Sequence, residues 1–217
     1  MNYNGAIFDL DGTLLNTIDD MANSMNAVLK KHGFPVYDTG KYRYFVGNGI
    51  GKLVWRALPE EETNEKMASL CLSEFVDEYN MRWHEFTKPY NGIGELLNKL
   101  RNMGICLSVL SNKPDNFTKA IIDRFFGLKK FDYVFGSRKD VPKKPNPTSA
   151  LEISELSKIS PSKYIYLGDS SVDMKTANRA GMYAVGVTWG FRKADELLKN
   201  GAKLLIDKPL ELIDFIK

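Results

Sequence analysis

The sequence predicts an α/β fold, a parallel sheet with helices on both faces, interrupted early by a helical insertion. Three observations predict it. Short apolar runs alternate with amphipathic helical stretches from residue 89 onward. An isolated apolar run, Gly5-Ala6-Ile7-Phe8, precedes them by about eighty residues, and the intervening segment has helical periodicity but no convincing strand. Short, continuously apolar runs are what strands buried on both faces look like. Repeated strand–helix units then imply parallel pairing, because each helix carries the chain back to start the next strand in the same direction.

In chain order, Gly5 to Phe8 is the first expected strand, ending at Asp9. Thr17 can cap a helix whose apolar positions Ile18, Met21, Met25, Val28 and Leu29 recur at helical spacing until Gly33. A second helical piece ends near Phe45, where Val46-Gly47-Asn48-Gly49-Ile50-Gly51 breaks it. Met67, Cys71, Phe75, Tyr79 and Trp83 form an i, i+4 stripe on a long amphipathic helix. After Lys88-Pro89, helices at 93–103, 115–126, 147–156 and 172–180 precede strands at 105–110, 133–135, 164–167 and 184–187. A helix at 194–199, a strand at 204–206 and a helix from 209 close the pattern. The expected organisation is a core of residues 1–15 and 89–217 with a helical cap domain at 16–88.

The composition is that of an ordinary globular protein: 217 residues, 43% hydrophobic and 26% charged, enough for one good core and a smaller second one. A net charge of +3 from 30 basic and 27 acidic side chains is too small to argue for nucleic acid or a membrane surface. Short basic groups such as Lys129-Lys130 and Lys143-Lys144 are broken by apolar or proline neighbours and read as solvated faces. Cys71 and Cys106 have no metal-ligand neighbours and read as buried free thiols of a reducing compartment. The N-terminal stretch lacks a basic region followed by an apolar one, and no run approaches the ~18 apolar residues of a membrane span. A cytoplasmic protein is expected. His32 and His84 are isolated in sequence and read as surface or edge-of-core residues.

In open parallel sheets, function gathers just beyond the carboxyl ends of the strands. Those ends carry Asp9-Leu10-Asp11-Gly12-Thr13, then Ser111-Asn112-Lys113, then Lys143-Lys144-Pro145-Asn146-Pro147 after a loop, then Gly168-Asp169-Ser170-Ser171-Val172-Asp173. Two carboxylates one residue apart at the end of a buried strand repel unless a cation neutralises them. Asp169 adds a third hard oxygen donor, which suits a magnesium ion that keeps waters and meets a phosphate. A phosphoryl group needs its charge stabilised more than it needs covalent help, and Lys144 and the Ser111 hydroxyl can do so. Asp-x-Asp-Gly could start a calcium loop, but the glycine comes too early and no bidentate glutamate closes it. Taken singly, Asp169 or Asp173 could be a helix-start acid, Lys144 a surface lysine and Ser111 a turn residue. Their joint order at the strand ends argues for a site.

The four segments Phe8-Asp9-Leu10-Asp11-Gly12-Thr13-Leu14, Leu110-Ser111-Asn112-Lys113, Lys144-Pro145-Asn146-Pro147 and Gly168-Asp169-Ser170-Ser171-Val172-Asp173 resemble the motifs of the haloacid dehalogenase superfamily. The resemblance spans essentially the whole chain and implies a Rossmann-like core with an inserted cap. It implies Asp9 as nucleophile and Asp11 as general acid and base. It also implies magnesium held by Asp9, the Asp11 backbone carbonyl and Asp169, with Asp173 in support. Ser111 and Lys144 would bind the phosphoryl group, with Thr13 and Asn112 of the same motifs. Val46-Gly47-Asn48-Gly49 and Gly186-Val187-Thr188-Trp189-Gly190 are similar to phosphoglycolate phosphatases, so a small phosphorylated metabolite is the expected partner. Arg43, just before the glycine loop, is the candidate anchor for a substrate carboxylate. True dehalogenases lack the equivalent of Asp11. A pyrophosphatase, a sugar-phosphate mutase (expected to carry an early histidine, absent here before His32) and a phosphonoacetaldehyde hydrolase using Lys52 stay open. So does a non-enzymatic phospho-accepting or catalytically silent regulator.

Overall fold

In the computed structural model, which describes residues 3–216, the apolar run Gly5–Phe8 is strand β1, and every residue of it is buried. The chain forms two units, Met1–Leu15 with Pro89–Lys217, and Asn16–Lys88. The chain crosses from one to the other at β2 (Leu15–Asn16) and back at β3 (Lys88–Pro89), and these two short strands pair with each other.

The helical unit contains α1 (Ile18–Lys31), α2 (Thr39–Phe45), α3 (Ile50–Ala57) and α4 (Glu65–Arg82). Helix α1 buries Ile18, Met21, Met25, Val28 and Leu29, the positions whose spacing predicts it. Thr17 occupies the position before the helix, but its side chain makes no capping bond. Asn64 does cap α4, accepting from the Met67 amide at 2.9 Å. The α4 stripe buries Cys71, Phe75 and Tyr79, while Met67 and Trp83 at its ends are only half-buried. The segment expected to be a plain break is instead the start of α3, which begins immediately after Gly49. Arg56 of α3 reaches back to the loop, donating to the Phe45 carbonyl (3.0 Å) and the Asn48 side chain (2.8 Å).

Two polar contacts tie distant parts of this unit together. The Asp20 carboxylate is fully buried and accepts from the Phe86 amide, the Thr87 amide (2.8 Å) and the Thr87 hydroxyl (2.7 Å). His32 is not isolated: its Nε2 lies 2.7 Å from Glu74, which also accepts from Lys31. That partner lies on another helix, and no local sequence pattern announces it.

The second unit continues with α5 (Ile93–Asn102), β4 (Cys106–Pro114), α6 (Asp115–Phe126), β5 (Tyr133–Ser137), α7 (Thr148–Ser157) and β6 (Tyr164–Gly168). It ends with α8 (Ser171–Arg179), β7 (Tyr183–Val187), α9 (Ala194–Lys199), β8 (Leu204–Ile206) and α10 (Glu211–Ile216). Six strands form one sheet in the order β5-β4-β1-β6-β7-β8, every pairing parallel. On one face Ile7, Leu110, Tyr164, Tyr166 and Ala184 pack with Ile153, Met174, Ala177 and Leu197 from α7, α8 and α9. Alternate residues along the strands, among them Phe8, Leu167 and Val185, are fully buried on the other side. The fold class is the expected one. Strand β4 departs from expectation by running on through Ser111, Asn112 and Lys113 to Pro114, with a break in register after Leu110. Cys71 is buried, Cys106 half-buried, and both are free thiols. No helix among the described residues is long and apolar enough to cross a membrane.

Candidate active site

From β1 the strand order runs outward in both directions, to β4 and β5 on one side and to β6, β7 and β8 on the other. A crevice opens at the carboxyl end of such a reversal. Phe8 is level with Val109 of β4 and Leu167 of β6, so Asp9, Ser111 and Asp169 emerge on the same edge. The Asp9 amide extends the pairing by one residue, donating to Leu167 at 2.9 Å.

Asp9 is buried, and both of its donors fall on one oxygen: Oδ1 accepts from the Leu10 amide at 2.7 Å and the Lys144 ammonium at 2.8 Å. Lys144 also meets Asp173 Oδ1 at 2.7 Å. The second Asp173 oxygen accepts from the Ser170 hydroxyl (2.5 Å) and amide (3.1 Å), and the Ser170 side chain caps α8 in return. Asp173 is thereby fixed by a lysine on one oxygen and a capping box on the other. Asp169 accepts from the Phe191 amide at 2.7 Å. Ligand atoms of Asp9, Asp169 and Asp173 lie within 4.8 Å of one another, the one such cluster among the described residues.

Glycines make the space for these carboxylates. Gly12 turns the chain after Asp11 at φ 84°, and a Cβ there would stand 2.2 Å from Asp169 Oδ2. At Gly190 a Cβ would meet the Asp169 Cβ at 2.2 Å and the Gly12 carbonyl at 2.5 Å. Any side chain at either position would displace Asp169.

The other expected residues sort into distinct places. The Asp11 side chain is outside the three-carboxylate cluster and pairs with Lys113 Nζ at 2.8 Å. The Ser111 hydroxyl lies at the rim, accepting from the Lys113 amide at 3.1 Å. Asn112 holds the lysine loop, donating to the Lys144 carbonyl (3.0 Å) and accepting from its amide (2.9 Å). The Thr13 hydroxyl is buried with no hydrogen-bond partner, while its carbonyl accepts from the Trp189 indole at 3.0 Å. Arg43 and Lys52 are exposed on α2 and α3 of the helical unit. Lys113, Ser170 and Phe191 were given no role by the sequence, and Gly190 appeared only in the signature Gly186–Gly190 without a link to Asp169. Lys113 and Ser170 stand inside the strand-end segments, which was the available signal. The Gly190–Phe191 turn reaches Asp169 only through the fold.

The electrostatics follow from burial. Desolvation, then the negative charges of Asp173 and Asp169, push the Asp9 carboxyl well above its usual range, and Lys144 only partly offsets them. Burial and Asp173 push Asp169 up to about 7, against the pull of the Phe191 amide. Burial opposes the Lys144 ammonium, yet Asp173 and Asp9 together outweigh it and hold its pKa well above the ordinary value. Buried carboxylates this close resist ionising together unless a further cation joins them. A hard divalent ion fits that donor set.

The model of one family matches residues 6–187, a span that contains all four strand-end segments; its description is haloacid dehalogenase-like hydrolase. The chain belongs to that family. Among curated haloacid dehalogenase-like relatives, a phosphoglycolate phosphatase of Pseudomonas putida is 31% identical over 93% of this chain and 75% of its own length. One from Vibrio parahaemolyticus is 28% identical over 96% of this chain and 94% of its own. A crystal structure from Lactobacillus delbrueckii subsp. bulgaricus, described as a candidate phosphoglycolate phosphatase, superposes with a TM-score of 0.93 at 28% identity over 100% of this chain and 99% of that one. The chain is thus an enzyme of the hydrolase class, phosphoglycolate phosphatase-like in sequence over nearly its whole length.

Proposed function

We propose that this hydrolase is a magnesium-dependent phosphatase that cleaves a small phosphomonoester by way of an aspartyl-phosphate on Asp9, with 2-phosphoglycolate the first candidate substrate. One observation carries the reading. Lys144 and the Leu10 amide both hold Asp9 Oδ1, which leaves Oδ2 to act on a phosphorus at the strand end. The relatives' names carry the choice of substrate.

In the first half-reaction an Asp9 oxygen attacks phosphorus in line while the ester P–O bond breaks and Asp11 gives its proton to the leaving oxygen. In the second, Asp11 takes a proton from a water that attacks the same phosphorus, releasing inorganic phosphate and restoring Asp9. Magnesium, held by Asp9, Asp169 and the Asp11 carbonyl, would neutralise charge on the phosphoryl group. Lys144 and Ser111 bind that group's oxygens, with Thr13 of the first motif as a further candidate donor. Asp173 keeps Lys144 in place. The helical unit would take the part of a cap that selects the substrate.

Rapid-quench labelling with a phosphate-labelled ester tests the reading. Label should appear on Asp9 during turnover and be absent from Asp9→Asn. Label on a serine or histidine would contradict the mechanism. Phosphoglycolate turnover no better than that of a generic ester would remove the named substrate and leave the phosphatase.

A further inference from the structure

The site contains a second buried lysine with no role in the scheme above. The Lys113 side chain is 2% exposed, and its ammonium lies 2.8 Å from Asp11 Oδ1. Burying an ammonium is costly unless a carboxylate accompanies it. A lysine at a strand end next to a proline would ordinarily extend into water, so its burial against Asp11 needs a cause.

Backbone geometry supplies the means. β4 continues to Pro114 through a break in register, and within it Lys113 reaches Asp11 while Asn112 holds the Lys144 loop. The Lys113 amide donates to the Ser111 hydroxyl, which fixes the two residues relative to each other. The two lysines also divide the carboxylates between them. Lys144 takes Asp9 and Asp173, and Lys113 takes Asp11. Asp11 is therefore held by a cation separate from the one that orients the nucleophile.

We propose that Lys113 is a positioning residue: its ammonium holds the Asp11 carboxyl group in the orientation from which it passes a proton to the leaving oxygen. The proposal rests on the phosphatase reading and names a part of that site. A carboxyl group on a single-methylene stem can rotate about χ1 and χ2, and misplacing a proton donor by about an ångström can cost up to ~10²-fold. Proton donation matters most where the leaving group is a poor one. An alkoxide cannot depart unprotonated at a useful rate, whereas a nitrophenolate can. Loss of positioning should therefore depend on the leaving group.

The experiment measures kcat/KM, which reports steps up to transfer of phosphate to Asp9, for an alkyl phosphate and for p-nitrophenyl phosphate. Wild type, Lys113→Met, Lys113→Arg, Asp11→Asn and the Asp11→Asn/Lys113→Met double variant are compared. Lys113→Met should lose about 10-fold or more on the alkyl ester and less than about 3-fold on the aryl ester. Lys113→Arg, which keeps the charge but moves it, should show a smaller loss of the same selectivity, and serves alone if Lys113→Met does not fold. In the Asp11→Asn background, Lys113→Met should cost nothing further on the alkyl ester. Equal losses on both esters, a gain on the alkyl ester, or additive losses in the double variant would overturn the role of Lys113. Wild type that hydrolyses neither ester would instead overturn the phosphatase reading.

Discussion

The metal site proposed at Asp169 would tie ion binding, pH and stability together in a way that can be measured. The Asp169 carboxyl is raised from 3.8 to about 7 by burial and by Asp173. Between those two pH values the folded protein keeps a proton that the unfolded chain has lost. Stability fully present below pH 3.8 is therefore lost progressively as pH rises toward 7, which is the reverse of the usual carboxylate. At 1.36 kcal/mol per pH unit the whole shift corresponds to roughly 4 kcal/mol, of which about 2 kcal/mol falls between pH 5 and 7, because the carboxyl is already half-ionised at pH 7. Asp9 is pushed in the same direction. A divalent ion at the proposed site would replace that proton, so its benefit should be small at pH 5 and large at pH 7.5. For a protein of this size about 2 kcal/mol corresponds to a Tm difference of about 4–8 °C. The assay is thermal unfolding in chelator and in excess magnesium at the two pH values, with Asp169→Asn alongside. Wild type should gain several degrees more from magnesium at pH 7.5 than at pH 5, and Asp169→Asn should lose most of that difference. An equal magnesium benefit at both pH values would refute the argument, because carboxylates of ordinary pKa are already ionised at pH 5.

Gly190→Ala places a methyl 2.2 Å from the Asp169 Cβ, so turnover should fall more than tenfold and the magnesium requirement rise, read by metal titration of activity, while overpacking costs about 1–3 kcal/mol in denaturant melts. Asp20→Ala strips acceptors from the Phe86 amide and from the amide and hydroxyl of Thr87, and should destabilise the helical unit by about 3 kcal/mol or more, read by urea unfolding with Asp20→Asn as the milder variant. Asp11→Asn should lower turnover by about 10²–10⁴, with the protein still taking up magnesium by calorimetry. Arg43→Ala should raise KM for a carboxylated ester far more than for an aryl phosphate; equal changes would make Arg43 part of its helix instead.

The sequence made the sheet and the carboxylate rim readable for the same reason. Strands buried on both faces have no polar alternation, so Gly5–Phe8 and Tyr164–Gly168 stand out as apolar runs and the acids that follow them are exposed by contrast. Asp9 and Asp169 directly follow such strands, Lys144 comes after a loop beyond β5 and Asp173 lies in the first turn of α8, and the four do converge. What stayed hidden depends on residues far apart in the chain. Strand β4 appeared to end at Leu110 because Ser-Asn-Lys-Pro is turn chemistry, and only pairing with β5 carries it to Pro114. The Lys113–Asp11 pair was hidden with it. Helix α3 was obscured because glycines at 47, 49 and 51 read as a break, although Gly49 marks where that helix begins. Thr17 has the composition of a cap without the bond, since N-cap propensity describes an average and Asn64 holds that role for α4.

The central place of β1 in the sheet affects how the enzyme comes into being on the ribosome. Its neighbours begin at Cys106 and Tyr164, so the strand that presents Asp9 is made first and must wait for both. Meanwhile Asn16–Lys88, drawn from one uninterrupted stretch, emerges with its own buried residues already contiguous. Long-range parallel pairing is slow because a large loop must close before any contact rewards it. During that wait β1 is a bare apolar strand with two unpaired edges, the kind of segment that associates with other chains. Nascent chains released before β6 would carry Asp9 without its flanking strand and without Asp169 or Asp173. Such fragments should be prone to aggregation and devoid of turnover.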